Sequence, residues 1–468
     1  MKLKSWQLPP GPRGFAQLLK CLKLRKSNPI KFYQYLFEKW GDVVFFQAAG
    51  QNILMLNDPE AIKQVLVTEA KNTTKSIGYQ RFRIIVGNGL LVSEGDFWLR
   101  QRRFLAWAFS QKNIDKIHPL LSEQTINYIK NWQNQDKINL SEELNLLTLQ
   151  IISTSLLGIN QEKSGKEIRE CLGEMIKYLQ TTRHIIINFF LLPVPKKWKD
   201  QLSLKIEMSL PFASTKRFKH SIKKMNDIVF NMIEERRRHN DNSNLLDALI
   251  NARDDVDNSQ MTDQQIKDET INMIIAGHET TANALTWTWI QILKHPQVYQ
   301  KIKEEVKQHI HNDIPSMSEV TLLKYTKAVI EESIRLYPPF WRISRANTTP
   351  MKIKGYDIPK STSIITSIYT VQRKESLWND PLAFKPERFL EDRDKITPFS
   401  YFPFGGGPRV CIGANFSMIE AQTIIACMVK HFDFESLGNL DPEYIISLTL
   451  QPKGGCPVKV SANGKFNL

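Results

Sequence analysis

The residue best placed to do chemistry is Cys411, in the stretch Phe404-Gly405-Gly406-Gly407-Pro408-Arg409-Val410-Cys411-Ile412-Gly413. Consecutive glycines tolerate positive φ and let the backbone approach something flat. Arg409, and the N-terminus of a helix read over Ala414 to Val429, put positive charge and free N–H groups near the sulfur. Both favour the thiolate. A thiolate so placed could serve as a nucleophile, a redox centre or a metal ligand. No partner cysteine stands at CxxC spacing, which weakens the redox role. The competing reading is a Gly-rich turn beside a buried structural cysteine, since free cysteines usually pack in cores.

A second unusual string is Ala276-Gly277-His278-Glu279-Thr280-Thr281. It falls midway along a predicted helix that starts at Thr262-Asp263-Gln264-Gln265, a capping-box spacing, and stops before His295-Pro296. At 1.5 Å per residue that helix is about 50 Å long. Glycine, an acid and two threonines suit the middle of a buried helix poorly, as expected where function overrides folding. A zinc-protease site is excluded, because HExxH needs histidine at 282 and the residue is Ala282. Trp98 with Arg102, and Glu332 with Arg335, also have helical spacing. Side chains three or four apart share a face, but in isolation such pairs are usually surface contacts of small worth.

Together and in this order, the strings resemble those of the cytochrome P-450 superfamily. Phe404, Gly407, Arg409, Cys411 and Gly413 match its haem loop, FxxGxRxCxG. Ala276, Gly277, Glu279, Thr280 and Thr281 match its [AG]Gx[DE]T[TS] motif; Trp98 and Arg102 match WxxxR. Glu332 and Arg335 match ExxR, and Pro386-Glu387-Arg388-Phe389 matches the PERF-like segment. The resemblance covers nearly the whole chain. It implies a mainly α fold, a helix-rich triangular prism with a small β-lobe near the N-terminus.

The same resemblance implies haem b bound by Cys411 as the axial ligand, a thiolate that favours O–O cleavage. Trp98, Arg102 and Arg345 would reach the haem propionates, arginine through its bidentate fork; Arg342 competes with Arg345 for that role. Ala276 and Gly277 would leave room for dioxygen, and Thr280 and Glu279 would deliver protons. Glu332, Arg335 and Arg388 would form a buried triad behind the haem loop. Ile275, Phe340 and Trp341 would edge an apolar pocket. A fatty-acid-hydroxylating subfamily carries glutamate where Ala276 stands and bonds it to haem, so here the haem should be noncovalent.

The implied activity is insertion of one oxygen atom from O2 into a lipophilic substrate. A peroxide-driven or isomerising haem-thiolate enzyme and a noncatalytic haem sensor are the alternatives. No dinucleotide fingerprint or flavin module follows the cysteine helix, so the expected electron source is a separate ferredoxin, flavodoxin or flavoprotein reductase. The docking face is read near Arg100 and Arg103, with lysines around the cysteine loop.

The elements that must position these residues are mostly helical. The 468 residues show no linker, repeat or low-complexity tract, so a single haem domain over 1–468 is expected, probed against a length prior of two or three domains. The formal charge of +15 suits an acidic partner or surface, but no nucleic-acid recognition motif appears. Cys21, Cys171, Cys411, Cys427 and Cys456 are an odd, sparse set, which argues for a reducing compartment without disulfides. No apolar segment of signal or spanning length opens the chain; a cytoplasmic monomer is the expectation. The run His184–Pro193, beside Lys196, Lys197, Trp198 and Lys199, is too short to span a bilayer and could rest at a membrane interface. Alternation predicts strands over Asp42–Gln47 and Asn52–Leu56, a hairpin over Met351–Ile365 turning at Gly355, and a strand over Ile445–Leu450. The β-lobe is placed at about residues 40–75, and Lys75–Gly89 reads as a loop.

Overall fold

The structure, a computed structural model, describes residues 7–464 apart from 49, 157, 159–161, 180–186, 188–195, 239–243 and 255. The apolar run read as a membrane-interface segment, His184–Pro193, lies outside the described residues but for Ile187. Helix dominates, as the resemblance implied. Among the described residues no helix is long and apolar enough to cross a membrane.

The chain enters through two helices, Phe15–Ser27 and Pro29–Trp40. Asn28 separates them: its Oδ1 accepts the N–H groups of Ile30 and Lys31, each at 3.0 Å, and Pro29 takes a first-turn position where no N–H is needed. The second helix buries Ile30, Tyr33 and Phe37 on one stripe.

The main sheet has five strands, in the order Val43–Ala48, Gln51–Leu56, Ser363–Ser367, Arg342–Asn347 and Thr73–Lys75. The first two form the predicted hairpin, Val43 opposite Leu56. Gln51–Leu56 then pairs in parallel with Ser363–Ser367, Ile53 opposite Ser363. The β-lobe is therefore not the N-terminal segment alone. Two of its strands come from residues far along the chain, a long-range pairing that alternation within one segment cannot reveal.

The predicted hairpin over Met351–Ile365 is shorter than expected. Met351–Ile353 pairs with Tyr356–Ile358, and the next strand leaves to join the main sheet. Leu450–Pro452 forms a small hairpin with Tyr444–Ile446, so Ile445–Leu450 is two strand ends and a turn. The span read as a loop after Lys75 holds a short helix, Arg83–Val86.

The long helix runs Asp263–Lys294, as predicted. Thr262 and Gln265 close the capping box, with Thr262 N–H donating to Gln265 Oε1 at 2.8 Å. The helix passes through the core rather than over it. Trp287 stacks on Tyr337 at 3.9 Å with rings nearly parallel, and its Nε1 donates to Leu450 O at 3.0 Å. The helix Ala414–His431 follows the cysteine loop and buries an apolar run from Ile424 to Val429 in the same core.

A fully buried aromatic of this size costs about 3–5 kcal/mol to truncate. Trp287→Ala is therefore expected to lose that much in urea unfolding, with Leu450 O left unbonded. A loss below about 1 kcal/mol would contradict the packing described.

Candidate active site

The cysteine loop closes on itself. Cys411 N–H donates to Phe404 O at 2.9 Å and Val410 N–H to Gly407 O at 3.1 Å. Gly407 has φ +67°, and a Cβ there would strike the carbonyl oxygen of Leu66. A Cβ at Gly406 would lie 2.5 Å from the ring of Phe399. These glycines are needed to seat the loop against the segment below it.

Cys411 is exposed, whereas the other four cysteines are buried. It is surrounded by protein all the same. Burial raises its thiol pKa, outweighing the Gly413 N–H and Arg102, which lower it. Arg409, read from the sequence as favouring the thiolate, pairs with Glu94, and desolvation is the largest influence on the sulfur. A metal cation at the sulfur is what would deprotonate it.

The long helix packs against the helix that follows the cysteine loop. From Ile266 to Ile292 all its residues are buried except Ala276, Gly277, Thr280 and Ala284. Ala276, Thr280 and Ala284 are four apart, so one stripe of small side chains is left accessible. A Cβ at Gly277 would lie 2.7 Å from Ile152 Cδ1. On the flank beside the stripe, Thr281 lies close enough to Glu420 of the cysteine helix to oppose, in part, the burial that pushes that carboxyl up to about 8. That contact ties the two elements together. Ile275, next to the stripe, is buried.

Positive charge gathers beside the cysteine. Arg409 stacks its guanidinium on Trp98 at 3.7 Å and pairs with Glu94. Arg102 donates from Nη1 to Val410 O at 2.9 Å, bracing the residue before Cys411. Lys75 lies opposite Arg345 across the Thr73–Lys75 and Arg342–Asn347 strands, and Lys75 N–H donates to Glu94 Oε1 at 2.6 Å. Burial and then neighbouring arginines lower Lys75 well below its ordinary value. Burial lowers Arg345, and burial with repulsion from Arg345 and Arg102 brings Arg409 down to about 10. Lys75, Arg345 and Arg409 thus share the Glu94 carboxylate, with Arg102 beside Arg409. Such a surplus calls for anionic groups. Arg342 and Arg345, three apart on a strand, point to opposite faces; Arg342 donates to Tyr33 OH at 3.2 Å, which leaves Arg345 in the cluster.

Behind the loop, Glu332 and Arg335 are fully buried. Arg335 Nε and Nη2 donate to the two carboxylate oxygens at 2.7 and 2.8 Å, and Nη1 donates to Gln372 O and Pro381 O at 2.7 and 2.8 Å. Arg388 Nε lies 3.4 Å from Glu332 Oε1, and Lys385 N–H donates to the same oxygen at 2.9 Å. The three residues singled out in the sequence meet.

Other expectations are redirected. Trp341 is buried against Tyr33, ring centroids 5.5 Å apart, among the residues under the N-terminal helices; its covered ring has no surface to offer a pocket. Phe340 is half-buried. Glu279 Oε1 accepts from Thr449 Oγ1 and Gln451 Nε2, each at 2.6 Å, while Thr280 Oγ1 donates to Ala276 O at 2.6 Å. Arg103 is bonded to Asp254 at 2.6 Å and Arg100 lies 3.6 Å from it, so the two arginines expected at the docking face share one carboxylate. Sequence reasoning missed Lys75, Glu94, Thr449 and Gln451, which carry no motif.

The profile of the family described as Cytochrome P450 matches residues 9–456. The chain belongs to this family. It is 29% identical to cyclooctatin synthase of Streptomyces melanosporofaciens over 96% of this chain and 95% of that protein. It is 26% identical to cytochrome P450 3A12 of Canis lupus familiaris, over 95% of this chain and 92% of that protein. It is also 26% identical to a bifunctional cytochrome P450/NADPH–P450 reductase of Bacillus cereus, over 95% of this chain but 41% of that one. The protein is a monooxygenase whose cofactor is cysteine-ligated haem b, with O2 as cosubstrate.

The site fits that group: an accessible cysteine, an accessible stripe of small residues and a cation surplus suited to carboxylates. When bound, the haem supplies O2 activation and transfer of one oxygen atom.

The Glu332–Arg335 pair sets a stability test. Glu332→Ala would strand the Arg335 guanidinium in the core, a loss of about 3–5 kcal/mol. The variant is expected to unfold at clearly lower urea than the parent; an unchanged midpoint would contradict the buried network.

Proposed function

We propose that this cytochrome P-450 hydroxylates a lipophilic substrate, with Cys411 as axial ligand, Trp98, Arg102 and Arg345 toward the propionates, and Thr280 with Glu279 moving protons. Electrons come from a separate ferredoxin, flavodoxin or flavoprotein reductase. One observation carries the reading: the accessible cysteine opens into a helix that shares one core with the long helix bearing the accessible Ala276–Thr280 stripe.

Thr280 Oγ1 spends its proton on Ala276 O, so its lone pairs are free to accept from a protonated oxygen on the open side. Glu279 is nearly sealed from solvent. Releasing Thr449 or Gln451 lets its carboxylate take a proton from water and pass it toward Thr280. The acid–threonine pair supports O2-driven over peroxide-driven turnover, since O2 would need to be supplied with protons that peroxide already carries. The partner meets the outer face of the helix Gly95–Ala108, where Leu99 and Trp107 are exposed, rather than free arginines at 100 and 103.

The test is coupling. With NADPH, a surrogate redox chain and a substrate found by haem spin-state shift, Thr280→Ala is expected to cut product per O2 consumed several-fold, the missing O2 appearing as peroxide. Coupling equal to the parent would remove Thr280 from the mechanism. Faster product formation from added peroxide than from the redox chain would favour a peroxygenase.

A further inference from the structure

The helix Ala213–Arg238 has no part in the site above, yet one of its faces lines a groove. Lys219, Ile222, Lys223, Asp227 and Phe230 stand at helical spacing on that face. Ile84, from the short helix Arg83–Val86, and Met208, from the helix Lys196–Ser209, close the other walls. None of these residues belongs to the cysteine loop, the cysteine helix or the long helix. The space between them is about 440 Å³ and opens to solvent, enough for a small ligand.

The walls are apolar and firmly held. Ile84, Met208, Ile222 and Phe230 are half-buried and pack on the main core. Glu207, the neighbour of Met208, is buried and bonded at 2.8 Å to Arg81, three residues before Ile84. That ion pair pins two of the three walls together, because breaking it would strand a buried charge.

The rim is cationic. On the same helix Arg217 pairs with Glu174 at 2.9 Å and Lys224 with Glu167 at 3.3 Å. Lys219 and Lys223 are exposed and, among the described residues, have no ion-pair partner. They stand one turn apart, about 6 Å along the axis, close enough to share one anionic head. Asp227 lies a turn beyond Lys223 and repels an anion from that end, which favours the Lys219 side. Phe230 is about 16 Å from Lys219 along the axis, the reach of a fatty chain. A concave space walled on three sides suits a single chain, not the plane of a bilayer.

We propose that this groove is a second ligand site, taking a single-chain amphiphilic carboxylate with its head on Lys219 and Lys223 and its tail against Ile84, Met208, Ile222 and Phe230. The inference goes beyond the monooxygenase reading and does not rest on it, since the bound molecule is not the one presented to Cys411.

The experiment is equilibrium dialysis of dodecanoate with the haem-loaded protein, the haem spin state being followed in the same samples. Expected is more dodecanoate bound than the spin-state change accounts for. That excess binding weakens tenfold or more in the double variant Lys219→Glu, Lys223→Glu, while the spin-state response and the carbonyl spectrum stay as in the parent. Dodecanol, with the tail and no charge, binds at least tenfold more weakly, and acetate, with the charge and no tail, does not compete. The proposal is overturned if no excess is found, if the variant binds as the parent does, if dodecanol matches dodecanoate, or if acetate competes. A parallel loss of spin-state response in the variant would make the groove an entrance to the haem. Retention only on vesicles of anionic phospholipid would make it a membrane contact. Either result also overturns the second site. If the double variant loses the carbonyl spectrum, Lys219→Gln with Lys223→Gln decides.

Discussion

The constraint on which the rest depends is electrostatic. Beside Cys411 the fold brings Lys75, Arg345 and Arg409 around the Glu94 carboxylate, with Arg102 next to Arg409, and burial raises the thiol pKa of Cys411 itself. Buried charge of one sign is costly unless it is paired. A group with two carboxylates and a metal ion resolves both problems at once: the carboxylates meet the arginines and the metal draws the proton from sulfur. Haem b is such a group, and the site's chemistry follows from its being held there.

Holding that arrangement needs stiff surroundings. The Glu332 carboxylate is gripped by Arg335, approached by Arg388 and bonded by Lys385 N–H, so three separate segments converge on one buried anion. Arg335 carries the connection on to the carbonyls of Gln372 and Pro381. From the other side, the long helix is fixed by its capping box and by Trp287 wedged against Tyr337. Between these, the backbone can expose Ala276 and Thr280 without collapsing onto them.

Much of this was legible in the sequence, and the reason is physical. Cys411, the glycines before it, Trp98, Arg102, Glu332, Arg335 and Arg388 sit at spacings set by a turn or a helix, so local order places them. The long helix was bounded correctly because its cap and its proline are local signals. What stayed hidden was partnership across the chain. Nothing near Glu94 says it will meet Arg409, nothing near Arg103 says Asp254 will neutralise it, and nothing near Trp341 says it will pack on Tyr33 instead of facing a pocket. The strand Ser363–Ser367 pairs with residues some three hundred positions earlier, and alternation carries no information on that choice.

The central claim is that the Cys411 sulfur holds haem iron as a thiolate, the metal opposing the burial that raises its thiol pKa. The most direct measurement is the absorption spectrum of the haem-loaded protein after dithionite reduction and saturation with carbon monoxide. The account predicts the strongly red-shifted Soret band of thiolate-ligated haem, lost in Cys411→Ala. A band in the position given by histidine or neutral thiol ligation, or a spectrum unchanged by Cys411→Ala, would contradict it.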